Sequence, residues 1–89
     1  CPYIKSENYV ISGHNIDTWS GKTLEECQAL CDDDVNCRSF DHKESSGTNC
    51  ATSPMIASWV GTDYKTHAHY SYYEKNCSGK ILYSRVTPN

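Results

Sequence analysis

GKTLEECQALCDDDVNCRSFDH runs from Gly21 to His42 and carries the strongest structural signal in the chain. Thr23 can cap a helix, and Glu26, three residues on, can reach back to it, which is the pattern of a capping box. Leu24, Cys27, Leu30 and Cys31 then recur at helical spacing, so one face is apolar and holds two cysteines. Glu25 and Glu26 suit the positive N-terminal end of a helix, and Asp32, Asp33 and Asp34 fall where acid is least welcome. The pattern predicts one helix over 24–33. CRSFDH, from Cys37 to His42, reads as a short strand with Phe40 as its core residue.

Strand signals lie on both sides of this stretch. YVISGHNIDTW offers Val10, Ile11, Ile16 and Trp19 for burial, is broken by a turn at Ser12-Gly13, and is followed by a second break at Ser20-Gly21. KESSGTN reads as a turn or loop, and CATS from Cys50 as a return strand. Pro54 to Thr62 is ambiguous, with Met55, Ile56, Trp59 and Val60 available for burial. Asp63 to Cys77 is a long strand candidate, and 78–89 reads as a last short strand or a linker.

The chain has 89 residues, the length of one small domain, and only 37% of them are hydrophobic, with a mean hydropathy of -0.70. So small a core is a marginal source of stability. Six cysteines in such a chain read as a disulfide framework made in an oxidising compartment. A zinc site is the rival reading, but the Cys-x-x-Cys pairs usual in such sites do not occur. A net charge of -3 argues against a general nucleic-acid binder. No apolar run approaches membrane-spanning length, so membrane insertion is not expected. No signal peptide is visible, and the opening on Cys1 suggests a mature secreted chain or a module excised from a larger multidomain protein.

Six cysteines allow fifteen pairings, which spacing alone does not settle. Cys27 and Cys31 share a helix face and are poorly placed to bond each other. Cys31 has a near neighbour in Cys37, Cys50 is then the natural choice for Cys27, and Cys1 is left with Cys77. That last closure would contribute ~4–5 kcal/mol in the chain-entropy picture.

The helix with Cys-x-x-x-Cys, the third cysteine after CDDDVN, the Cys37-to-Phe40 interval, SGTNC and the closing YYEKNC together resemble the PAN/apple domains over Cys1 to Cys77. The resemblance implies Cys27–Cys50 and Cys31–Cys37, tying the helix to a central hairpin, and a Cys1–Cys77 bond typical of the apple subgroup. It implies an α+β fold in which a curved antiparallel sheet of about five strands packs on one helix. It further implies a non-catalytic, extracellular or cell-surface module for adhesion or recognition, whose ligand is a protein or a carbohydrate. Fold alone does not choose between these. The alternatives are a dedicated lectin domain and a secreted structural or toxin-like scaffold.

No catalytic motif stands out. A cysteine nucleophile beside His42 or His67 needs a free thiol, and all six cysteines are better explained as paired. Asp32, Asp34 and Asn36 alternate as calcium ligands do, but Cys37 and Lys43 occupy the positions where a calcium loop needs glycine and glutamate. His67 and His69 would share one side of a strand, and a metal would need a third ligand such as His14 or His42. A polar strand face explains them better, and no metal or other cofactor is expected. Asn76-Cys77-Ser78 matches a glycosylation sequon, although its central cysteine is expected in a disulfide.

The ligand is expected on the Lys65-to-Cys77 strand and its approach. Simple alternation puts Ala68, Tyr70 and Tyr72 on one side and His67, His69, Ser71 and Tyr73 on the other. Rings with hydrogen-bonding tips suit both sugar stacking and protein contact. Asp63, Tyr64 and Lys65, at the head of the strand, could reach sugar hydroxyls. The candidate contact residues are therefore Asp63, Tyr64, Lys65, His67, His69, Tyr70 and Tyr72, on whichever face meets solvent.

Overall fold

A computed structural model describes residues 1–76. Its helix α1 (Leu24–Asp32) starts at the capping box: the Glu26 N–H donates to Thr23 Oγ1 at 3.1 Å and the Thr23 N–H donates to Glu26 Oε1 at 2.9 Å. The helix stops one residue before the predicted end, with Asp33 as its C-cap. Its last turn has no basic residue, and strand neighbours compensate. Lys75 Nζ donates to the Cys31 carbonyl at 2.9 Å, placing a cation where the helix dipole favours one, and the Tyr3 hydroxyl donates to Asp32 Oδ1.

Strands β1 (Tyr3–Ile11), β2 (Asp17–Ser20), β3 (Ser39–Lys43), β4 (Thr48–Ser53) and β5 (Tyr64–Lys75) form one antiparallel sheet in the order β1-β5-β3-β4-β2. This is the expected α+β architecture, with one addition. The ambiguous Pro54–Thr62 stretch holds a short helix α2 (Ala57–Val60), followed by a 3-10 turn at Gly61–Asp63.

Alternation along β3 divides the sheet's two faces. Phe40 points toward α1, where it stacks on Tyr73 at 4.7 Å and meets the edge of Tyr3 at 5.2 Å. The same core holds the disulfides Cys27–Cys50 and Cys31–Cys37, with Cα separations of 5.8 and 5.2 Å. Cys77, and with it the expected Cys1–Cys77 bond, the remainder of the Asn76 sequon and the 78–89 segment, lies outside the described residues.

On the opposite face Asp41 sits in a cross-strand row with Tyr72, Ala51 and Thr18. This face is partly roofed because β1 and β5 lose step. Glu7 pairs with Ser71 but Tyr9 pairs with Thr66, so Asn8 alone stands opposite residues 67–70. Asn8 (φ 64°) and His69 (φ 72°) adopt the left-handed backbone that such a bulge requires. Beyond it, Tyr9–Ile11 and Tyr64–Thr66 continue as a two-stranded ribbon that leans over the open face. The Ile11 N–H reaches Asp41 Oδ2 at 3.3 Å, although β5 separates β1 from β3 in the sheet.

Candidate functional site

The leaning ribbon and the open face enclose a cleft of about 250 Å³. Asp41, Ala51 and Thr18 form its floor; Val10, Ile11 and Lys65 come from the ribbon, where Val10 and Lys65 pair across its two strands, and His67 and Tyr70 from β5 beyond it; Ser12, Asn15 and Thr48 complete the lining. Val10 and Ile11 are buried, so the ribbon offers apolar surface there. Tyr70 is held at its tip and on its face: its hydroxyl donates to the Thr48 carbonyl at 3.0 Å, and Lys43 Nζ lies 5.2 Å from its ring centre. The His67 ring meets Tyr70 edge-on at 4.9 Å.

Asp41 is 6% exposed. Oδ2 accepts the Ile11 N–H, whereas Oδ1 is buried with no hydrogen-bond partner. Burial raises the pKa of this carboxyl to about 7, against the lowering effect of the Ile11 N–H. Burial raises the Tyr70 pKa as well, and the nearby Asp41 charge adds to that shift.

Of the seven contact residues expected from sequence, the structure brings Lys65, His67 and Tyr70 to one cleft. The other four lie elsewhere. Asp63 closes the 3-10 turn and pairs with His14 Nε2 at 2.9 Å. Tyr64 stacks on Tyr9 at 4.8 Å and meets Tyr72 edge-on at 5.1 Å. Tyr72 is on the open face but buried: its hydroxyl accepts the Ala57 N–H from α2 at 2.9 Å and donates to Glu74. His69 lies instead at a hollow with Glu44 and Ser45.

Of the expected split, Tyr70 and Tyr72 do share one face, opposite Lys43 and Asp41, but the pairing of His67 with His69 is corrected. The bulge breaks strand alternation, so His67 joins Tyr70 and parts from His69. Among the described residues no three His, Cys, Asp or Glu side chains cluster as a metal site would require. No cysteine among the described residues is free, and buried His42 is engaged with the Lys22 carbonyl at 2.9 Å.

Asp41 was not among the residues singled out from sequence. A signal was present: a charge flanked by Phe40 and His42 in a central strand lies where charge is costly unless it has a task.

Residues 1–77 match the family model for the PAN domain, and the chain belongs to that family. Such domains are generally protein- or carbohydrate-binding modules of extracellular proteins, and typically not catalytic. Comparison with curated proteins and with solved structures found no match. Among the described residues no helix is long and apolar enough to cross a membrane.

Proposed function

We propose that this chain is a non-catalytic extracellular recognition module whose open-face cleft seats the terminal residue of a glycan. The arrangement of the cleft is the observation that carries this reading. Tyr70 and His67 supply ring surface, Val10 and Ile11 an apolar patch, and Asp41, Thr18, Asn15 and Lys65 polar groups. A volume of about 250 Å³ is below that of pockets for drug-sized ligands and suits a single small ring. Sugars, apolar on their ring faces and hydroxylated at their edges, match such a mixed lining.

A protein ligand is favoured by a different feature. Trp59 on α2 is 54% exposed and carries the Arg38 guanidinium 5.2 Å from its ring. Tryptophan and arginine are typical anchors of protein interfaces. A glycan array separates the two readings. The folded domain should bind at least one glycan, lose it with Tyr70→Ala and keep it with Trp59→Ala. A folded domain that binds no glycan would remove the sugar reading.

A further inference from the structure

Asp41 is the one deep polar group in the cleft, and it is half satisfied. Oδ2 has the Ile11 N–H; Oδ1 has nothing. An ionised carboxylate accepts several hydrogen bonds, and leaving a buried one short of donors costs free energy. The neighbouring elements offer no relief. Ala51 of β4 and Val10 and Ile11 of β1 are apolar, and Thr18 of β2 makes no bond to it. β5 contributes the titratable groups nearby: the Tyr70 and Tyr72 phenols, of which Tyr70 donates to Thr48 and Tyr72 to Glu74, and Lys65 and His67 in the lining. Lys43, on Asp41's own strand and face, is drawn to the Tyr70 ring. Among the described residues no ion pair is made to Asp41.

We propose that Asp41 is the specificity-determining residue of the cleft, its unpartnered Oδ1 accepting a hydrogen bond from a hydroxyl of a neutral sugar. The proposal rests on the glycan reading above and adds a charge state to it. An O–H donor to Oδ1 stabilises the carboxylate over the carboxylic acid. Binding therefore favours the ionised form, releases a proton near neutral pH, and tightens as pH rises. A second anion at that depth would be repelled, so acidic sugars are excluded there.

Methyl glycosides of the common neutral hexoses and N-acetylhexosamines, titrated calorimetrically against the domain, test this. At least one should bind, with affinity rising about tenfold between about pH 5.5 and pH 8.5, as a shift of one pKa unit on binding requires. Two buffers of different ionisation enthalpy should reveal proton release from the unaltered protein. Asp41→Asn should weaken binding at the higher pH and flatten the profile. His67 is present in both proteins, so its contribution cancels in the comparison. Tyr70→Ala locates the site. Loss of binding in Tyr70→Ala, with affinity and profile unchanged in Asp41→Asn, would overturn the role of Asp41 and leave the cleft reading intact. Affinity that falls as pH rises, without proton release, would also overturn it. Failure of every glycoside to bind, or binding that survives Tyr70→Ala, would remove both.

Discussion

On its helix side the sheet is closed by sulfur and rings. Phe40 lies between Tyr73 and Tyr3, and two disulfides clamp α1 to the strands and to the turn beyond it. On its other side the same strands present Asp41, Thr18, Ala51 and Tyr70 beneath a ribbon that buries Val10 and Ile11, packs Tyr64 against Tyr72 and donates the Ile11 N–H to Asp41. Strand alternation keeps the two sets apart: neighbours in sequence such as Phe40 and Asp41 serve different faces. In a domain with so few hydrophobic residues, one face carries stability. The other is thereby free to hold an ill-satisfied carboxyl.

The sharpest way to break this contrast is to unclamp the helix side. Cys27→Ala with Cys50→Ala should lower unfolding free energy in urea by about 2–5 kcal/mol. A loss as small as that from a cleft substitution would mean that the two faces share the load.

The next test concerns the open face itself. Asp41 has a folded-state pKa of about 7 against an ordinary 3.8, so in that interval the folded protein keeps a proton that the unfolded chain releases. Its contribution to stability therefore falls as pH rises from about 4 and levels off above about 7, by roughly 2–4 kcal/mol in all. The difference in unfolding free energy between Asp41→Asn and the unaltered domain, followed against pH, should grow in the variant's favour over that interval. A difference that stays flat would show Asp41 to be better satisfied than its geometry indicates.

The smallest effect sharpens the account of the helix. Thr23→Ala removes the side-chain acceptor for the Glu26 N–H and should cost about 1 kcal/mol, read as a lowered urea midpoint. Cleft binding should be unaffected, since α1 lies on the far side of the sheet.

The helix was legible because its signals are local: a cap, a spacing of cysteines and a run of acids. The strands were legible from β-branched and aromatic residues between turn residues, except for the polar first half of β1, which owes its place to pairing with β5. The cleft was only partly so. Lys65, His67 and Tyr70 were identified, but their grouping depends on a bulge set by pairing with Asn8, some sixty residues away in sequence. Tyr72 looked like an equal of Tyr70. It is covered by α2, which comes from a stretch with no clear pattern. Asp41 was visible as a charge in a core strand, but its significance required knowing that a ribbon roofs the face opposite Phe40.

Adding or deleting one residue in a strand ordinarily reverses every side chain beyond it. Residues 67–69 escape that rule. β3 pairs with β5 from Tyr70 onward, and β1 pairs with it up to Thr66 and again from Ser71, so the intervening chain is in neither ladder. Length can vary there while both registers hold. The domain thus keeps, beside a rigid frame, a short tract where loop engineering can recut the binding wall without rebuilding the sheet.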